Sequence, residues 1–493
     1  MNYKSMILAM VTVALTGCAP TVRHPALRDA PPEQWTAGDS IGITMEADSV
    51  WWQAFHDPAL DSLLREALDY NYSLKGALAR LEAAAAQRTM TGAGLFPSLN
   101  LSASGSRRKQ NFIGLPIPGP KKDILTSYAN TFGVTANVSW EIDLWGRTSA
   151  ARGAADAEWQ ATMADYLGAR LSVTAQTAKA WYAVVEARQQ VELARKNWQR
   201  ARAAQESVWR RYKNGLRPSL DFRLARTETA NAETMLTQRR QQLESAQRQL
   251  EILLGHYPSG RIATRGMLPE INDAIPRMMP ATLLTRRPDI IAAERRLAKA
   301  RANVWSARAA LFPSISLSAS YGTSANKIED MFNTDLSVWN LAANVLQPVF
   351  NGGRLLAGID LAKAAQKQAF VAYAQTALTA YGEVETLMAN EGHLKKQMES
   401  AAVAMHEAEA ARALARERYD KGLADIITLL NARKNAYNAH SQWLNLHRQR
   451  IYNRIDLYMA LGGGIQNNVN ASTAAVSETF RHSSLAAHMK REK

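Results

Sequence analysis

The chain has 493 residues, 47% of them hydrophobic, with 59 Lys and Arg against 44 Asp and Glu and a formal net charge of +15. That is ample to bury a core, and the long stretches rich in Ala, Arg, Gln and Glu have the composition of extended helical bundles. The positive balance does not mark a nucleic-acid binder, because the basic residues are interspersed with acidic ones instead of gathering in one block.

At the N-terminus, Lys4 precedes an apolar run from Met6 to Leu15 that closes in Leu15-Thr16-Gly17-Cys18. A run of about ten residues is too short to span a bilayer, which takes roughly 20, so residues 1–17 read as a signal peptide. Leu-Thr-Gly-Cys resembles the lipobox of bacterial lipoproteins, which makes Cys18 the lipidated first residue of the mature chain. Ala19 in place of an aspartate implies sorting to the outer membrane. Cys18 is the only cysteine, so one chain forms no disulfide and no thiolate metal site. No later segment approaches 18 consecutive apolar residues, and any membrane crossing is therefore expected to be a β-barrel.

The chain repeats itself. Gly94-Leu95-Phe96-Pro97-Ser98-Leu99-Asn100-Leu101-Ser102-Ala103-Ser104 returns as Ala310-Leu311-Phe312-Pro313-Ser314-Ile315-Ser316-Leu317-Ser318-Ala319-Ser320. Farther on, Gly146-Arg147 matches Gly353-Arg354, Tyr212 to Leu216 matches Tyr419 to Leu423, and Leu254-Gly255 matches Leu461-Gly462. The second set of matches has a shorter offset than the first, so the first half carries the longer loop, in the Gly- and Pro-rich stretch Arg107 to Lys122. Such self-similarity means one duplicated protomer and not two independent domains.

Each half reads as helix, strand, loop, strand, very long helix, turn, long helix. Ser98 to Ser106 alternates apolar and small polar residues, and Phe132, Val134, Ala136, Val138 and Trp140 hold every second position of a return strand. Ser314 to Gly322 and Ser337 to Phe350 repeat the arrangement, giving four strands of membrane-spanning length. Phe96, Trp140, Phe312 and Trp339 stand where an aromatic girdle would, although ordinary strand packing also accommodates single aromatics. Four strands cannot close a barrel, since the smallest use about eight, so two or three chains must share one. Thr148 to Lys213 has no proline and two glycines, and predicts a helix on the order of 100 Å long. Leu220 to Leu254, Asp289 to Ala310, Leu355 to Tyr419 and Ile426 to Leu461 continue the helical pattern, with alanines spaced for close coiled packing.

The expected organisation is a signal peptide at 1–17, a lipidated N-terminal extension at 18–58 and a first repeat at 59–256 with its strand pair at about 98–142. An irregular linker at 257–280, broken by four prolines, leads to a second repeat at 281–462 with its strand pair at about 314–350, and an unstructured tail follows at 463–493.

In this order, the lipobox at Cys18, Trp51-Trp52 followed by Phe55 and Asp57-Pro58-Ala59-Leu60, the two Leu-Phe-Pro-Ser motifs, Glu141-Ile142-Asp143-Leu144-Trp145-Gly146-Arg147 and Arg287-Pro288-Asp289-Ile290 resemble the TolC-like outer-membrane factors. The likeness is specifically to the lipoprotein branch serving multidrug efflux pumps. The resemblance implies a mainly α fold with membrane β: a trimeric 12-stranded barrel, four strands per chain, continuing into a long periplasmic α-helical barrel. It implies a passive exit duct for drugs or other toxic small compounds, working with a periplasmic adaptor protein and an inner-membrane pump. The chain would be anchored in outer-membrane lipid through Cys18, with no cofactor, no metal and no nucleic acid.

The two repeated turns, Tyr212-Lys213-Asn214-Gly215-Leu216 and Tyr419-Asp420-Lys421-Gly422-Leu423, fall at the closed periplasmic tip. Gly215 and Gly422 have a local reason to be there, as helix-ending residues of positive φ. The resemblance also makes Gly215, Leu216, Gly422 and Leu423 adaptor contacts. Asp221 matches a tip carboxylate of the family and Tyr419 a tyrosine of the closing network, though either would also serve as an ordinary residue at a helix start or end. Thr428 and Asn431 stand where related channels often carry aspartates around the pore constriction; here the ring is neutral and has no field to gather cations.

Nine histidines lie scattered without ligand spacing, and no nucleophile elbow or phosphate loop is present, so no enzyme is expected. Two rival readings share parts of the pattern: the exit duct of a type I protein-secretion system, which has the same fold, and a coiled-coil scaffold lipoprotein without a pore. A scaffold has no use for four membrane-length strands at equivalent points of a repeat.

Overall fold

The computed structural model describes residues 35–36, 51–112, 125–263, 266–271 and 280–463. The expected signal peptide, the lipidation site Cys18, the tip of the long first loop, part of the linker and the tail beyond 463 lie outside the described residues. In chain order the elements are α1 (Pro58–Tyr70), α2 (Tyr72–Ala93), β1 (Ser98–Phe112), β2 (Leu125–Ile142), α3 (Arg147–Lys213) and α4 (Ser219–Leu253). After the linker come α5 (Leu283–Arg286), α6 (Pro288–Ala309), β3 (Ser314–Thr323), β4 (Ser337–Leu346), α7 (Arg354–Asp420) and α8 (Ile426–Ala460). No helix among the described residues is long and apolar enough to cross a membrane.

The duplication is visible in the element lengths. Both α3 and α7 have 67 residues, and both α4 and α8 have 35. At 1.5 Å per residue each 67-residue helix runs about 100 Å. The first long helix, α3, packs against α4, α6, α2 and α8, and the second, α7, against α8 and α6. Alanine makes that close approach possible: Ala154, Ala157, Ala161, Ala164, Ala175, Ala178, Ala194 and Ala201 of α3 are all buried.

Side-chain caps fix the helix starts. Asp57 accepts hydrogen bonds from Ala59 N and Leu60 N, with Pro58 in the first turn of α1, where a missing N–H costs nothing. Its second oxygen receives the Trp181 indole N–H at 2.7 Å. Asn71 ends α1, caps α2 through Leu74 N, and donates to the Leu253 carbonyl at 2.8 Å. These contacts ring the main core, halfway along the long helices, where Trp51, Phe55, Leu60, Leu64, Tyr182, Leu250, Leu254, Ile451, Ile455 and Tyr458 are buried together. Trp51 stacks on Tyr458 with ring centroids 5.6 Å apart.

Arg287, from the Arg-Pro-Asp motif, is buried at the start of α6. It binds Asp289 at 2.7 Å, Glu383 of α7 at 2.8 Å and the Ala460 carbonyl at the end of α8 at 3.2 Å. One guanidinium thus ties three helices of the second repeat. On the other side of the core, Glu251 is 4% exposed and accepts from Ser259 Oγ, Gly260 N and Arg261 N at 2.9, 2.6 and 3.0 Å, which fastens the first turn of the linker to α4.

The strands form one antiparallel sheet in the order β1-β2-β3-β4, so β1 and β4 are its edges. Two boundaries differ from the sequence expectation. β4 stops at Leu346, because Pro348 has no N–H to continue the ladder. β1 runs on past Ser106 to Phe112, where Arg107, Lys109 and Asn111 occupy the formerly apolar positions and hide the alternation.

Candidate channel wall and tip

Pairing register assigns every strand residue to a face. Leu99, Leu101 and Ala103 of β1 stand opposite Val138, Ala136 and Val134 of β2, and Gly105 stands opposite Phe132. The same face continues through Ile315, Leu317, Ala319 and Tyr321 of β3 to Val345, Ala343, Leu341 and Trp339 of β4. The opposite face carries Ser98, Asn100, Ser102 and Ser104, then Ser139, Asn137 and Thr135, then Ser316, Ser318 and Ser320, with Asn344 and Asn340 on β4. Its small polar groups bond to one another: Ser98 Oγ to Ser139 Oγ at 2.8 Å, and Asn137 Nδ2 to Ser102 Oγ at 3.2 Å.

An apolar face this large cannot stand in water, yet Leu101 and Trp339 are each 77% exposed. From Ile142 to Phe132 the apolar band runs about 33 Å along β2, which at a 40° tilt is roughly 25 Å of height, the thickness of an outer-membrane barrel's belt. The apolar face is the lipid side and the serine-asparagine face is the lumen side.

The Glu-Ile-Asp-Leu-Trp-Gly-Arg motif makes the joint between wall and helix. Asp143 turns its carboxylate onto the first turn of α3, accepting from Thr148 N at 2.9 Å and Ser149 N at 2.7 Å. Glu141 and Arg147 pair through two bonds of 2.7 and 2.9 Å. The Trp145 ring stacks on Phe312 at 4.9 Å and donates its indole N–H to the Pro313 carbonyl at 2.8 Å, while Trp140 donates to the Leu95 carbonyl at 3.1 Å. Both Leu-Phe-Pro-Ser motifs are therefore acceptors for tryptophans of this one joint.

At the far end of the helices the two repeated turns have the same geometry. Gly215 has φ 70° and Gly422 φ 75°. Gly215 N donates to Tyr212 O and Leu216 N to Arg211 O; Gly422 N donates to Tyr419 O and Leu423 N to Arg418 O. Each pair is the double hydrogen bond of a helix ending on a left-handed glycine. Leu216 and Leu423 project from the turns, 70% and 72% exposed.

The two tyrosines diverge. Tyr212 lies on the surface, parallel to Phe222 and next to Trp209. Tyr419 is 3% exposed, packed with Val208, Ala225, Ala415, Ile426 and Leu429. Burial, ahead of the charges around it, pushes its phenol pKa up, and its hydroxyl has no hydrogen-bond partner among the described residues.

What reaches Tyr419 from the first repeat is Arg217, whose guanidinium lies 4.8 Å from the ring centroid, 3.4 Å from the Tyr419 carbonyl and 3.9 Å from the Asp221 carboxylate. Arg211 adds a 3.5 Å pair with Asp420. The structure thus brings Asp221 and Tyr419 to one cluster through Arg217, which sequence reasoning missed; its spacing of four residues from Asp221 was the available sign. Asp221 is also the acidic residue in the first turn of α4.

Thr428 and Asn431 are exposed, three residues apart on α8 and so on one helical face. The one carboxylate nearby in the chain, Asp425, is held as the cap of α8: hydrogen bonds from Thr428 keep its pKa below the ordinary carboxylate value. A turn deeper, Arg433 is buried, and burial with Arg416 and Arg412 close by pushes its pKa down to about 10.

An amphipathic sheet of membrane-spanning height rooted on helices of about 100 Å is the build of an outer-membrane channel. A family model described as outer membrane efflux protein matches residues 63–256 and 279–463. The chain is 32% identical to the pyoverdine export outer membrane protein OpmQ of Pseudomonas aeruginosa, over 95% of this chain and 98% of that protein. It is 28% identical to the cation efflux system protein CusC of Escherichia coli K12, over 92% and 98%. Among solved structures it resembles the CmeC outer membrane channel of Campylobacter jejuni, with TM-score 0.84 and 26% identity over 92% of this chain and 98% of that one. It also resembles the outer-membrane channel OprN, with TM-score 0.81 and 28% identity over 89% and 98%. The chain belongs to the outer membrane efflux protein family: it is an exit duct of the outer membrane and not an enzyme.

Proposed function

We propose that three copies of the chain close a 12-stranded barrel in the outer membrane, with β4 of each copy pairing with β1 of the next. The observation that carries this is the open, two-faced sheet with its small-polar lumen side. Two copies would close only eight strands, a barrel whose interior side chains fill or which holds one small ligand. Three copies leave a passage. The helical repeats, 59–256 and 281–462, continue that passage into the periplasm, and Cys18 holds the complex to lipid.

The tip is the gate. Arg217, Arg211, Asp221, Tyr419 and Asp420 join the first hairpin to the second within one chain, and opening separates them. Gly215-Leu216 and Gly422-Leu423 present exposed leucines to the periplasmic adaptor, which couples the duct to an inner-membrane pump. With Thr428 and Asn431 at the constriction, the duct passes small molecules without concentrating cations.

The test is fluorescent-dye retention, with growth on a panel of antibiotics, solvents and metals, in cells lacking the chain and in cells complemented with it. Greater retention and sensitivity, restored by complementation, is the expected result. No change under demonstrated expression contradicts the efflux assignment and favours a secretion duct.

A further inference from the structure

The first hairpin projects past the rest of the sheet. β3 and β4 end their pairing at Thr323 and Ser337, and β2 leaves the β3 ladder at Thr135 with one last bridge from Phe132 to Ala325, whereas β1 and β2 stay paired to Phe112 and Leu125. On the lipid side of this projection the apolar series stops at the Gly105 and Phe132 pair. The next positions on that face are Arg107 opposite Asn130 and Lys109 opposite Tyr128. Both cations address one ring: Arg107 Cζ lies 5.9 Å and Lys109 Nζ 5.6 Å from the Tyr128 centroid. Neither makes an ion pair among the described residues, and all three side chains are exposed.

Their height is the informative quantity. Two and four residues beyond Gly105, along a strand tilted about 40°, place the cations roughly 5 and 10 Å above the apolar belt. The headgroup layer occupies about the first 5–8 Å outside the hydrocarbon. Arg108, with the opposite side-chain direction, faces the lumen side and serves as an internal control.

We infer that Arg107, Lys109 and Tyr128 form a binding site for the phosphate groups of the glycolipid in the outer leaflet of the outer membrane. Arg107 at headgroup depth, and Lys109 just beyond it on a side chain long enough to reach back, supply the charge that phosphate needs. The tyrosine between them holds both in place by its ring face and offers a hydroxyl donor at the interface. The apolar series below, Phe132 and Val134, lies alongside the acyl chains of the same lipid. The inference rests on reading this sheet as the membrane wall.

The test uses full-length protein purified from outer membranes in mild detergent. Bound phosphorylated glycolipid is counted by mass spectrometry, then added back, in native and dephosphorylated forms, to delipidated wild type, Arg107→Gln with Lys109→Gln, and Arg108→Gln. The expected result is a loss of affinity of roughly 30-fold in the double variant. Arg108→Gln should bind normally, and the dephosphorylated lipid should bind every protein as weakly as the double variant binds the native one. Equal binding by wild type and double variant, equal loss in Arg108→Gln, or indifference to lipid phosphates overturns the site.

Because Glu329, Asp330 and Asp335 stand on the β3–β4 connection, a neighbouring copy is the competing partner for these cations. In that case the double variant loses thermal stability as an oligomer even when lipid-free, which also overturns the inference. Single-channel conductance of the same samples keeps the outcomes separate: a conducting channel without lipid selectivity sinks only the lipid site, and a non-conducting protein sinks the wall itself.

Discussion

Replacing Arg217 by methionine should open the tip. The side chain is 22% exposed and makes three contacts, two of them to Tyr419 on the other hairpin. Its stacking on the buried Tyr419 ring at 4.8 Å is worth about 1–2 kcal/mol in a mostly dry setting. The bond to the Tyr419 carbonyl, long at 3.4 Å, adds about 0.5 kcal/mol, and the 3.9 Å pair with Asp221 about 0.5 kcal/mol after solvent screening.

The two contacts that cross the hairpins sum to about 1.5–2.5 kcal/mol per copy, or roughly a 10- to 70-fold shift in the open-to-closed ratio of each hairpin. Three copies shift together in a trimer. The assay is single-channel recording of purified protein in planar bilayers, with thermal stability measured alongside. Larger unitary conductance and longer open dwell times are expected at nearly unchanged stability. Conductance identical to wild type in both Arg217→Met and Arg211→Met would show that these contacts do not hold the gate.

Asp221→Ala should raise conductance less than Arg217→Met does. Tyr419→Phe should leave it unchanged, since the ring and the carbonyl do the holding and the hydroxyl has no partner, whereas Tyr419→Leu should open the channel; an effect of Phe as large as that of Leu would contradict this. Asn431→Asp should move the reversal potential in a salt gradient toward cation selectivity by setting a charge on each copy at the constriction, and no movement would place Asn431 off the lumen. Burial pushes the Glu251 carboxyl upward, but the hydrogen bonds from Gly260, Arg261 and Ser259 outweigh it and hold the pKa below its ordinary 4.5. A depressed carboxylate adds stability in full above that value and loses it as pH falls through the folded one. Protection of the Gly260 and Arg261 amides, taken as exchange relative to a free amide at the same pH, should therefore hold above 4.5 and fall as the pH drops below it. Glu251→Gln should exchange faster throughout without the acid step, and matching profiles would refute the clasp.

Much of this architecture was legible because it rests on short-range chemistry repeated twice. Alternation of period two at Phe132 to Trp140 marks a strand whatever it packs on, and 66 residues from Thr148 to Lys213 without proline leave little but helix. The unreadable parts are those in which one repeat acts on the other. Arg217 looks like any basic residue before a proline until α7 brings Tyr419 beneath it. Arg287 was visible as part of a motif, but its grip on Glu383 and Ala460 spans residues far apart in sequence.

The same limit explains β1. Past Gly105 the pattern turns polar on both faces, so periodicity falls silent, and only pairing with β2 reveals that Arg107 and Lys109 continue the face of Leu99 and Leu101. Duplication has also let equivalent positions part company. Tyr212 and Tyr419 sit in identical glycine turns, yet one is on the surface beside Trp209 and the other is buried under the arginines of its neighbouring hairpin. A twofold protomer could close its tip symmetrically only if both tyrosines were clasped. With Tyr419 clasped and Tyr212 on the surface, the two turns proposed to meet the adaptor differ in support: Leu423 projects from a turn held by Arg217, and Leu216 from one flanked by the exposed Tyr212 and Trp209.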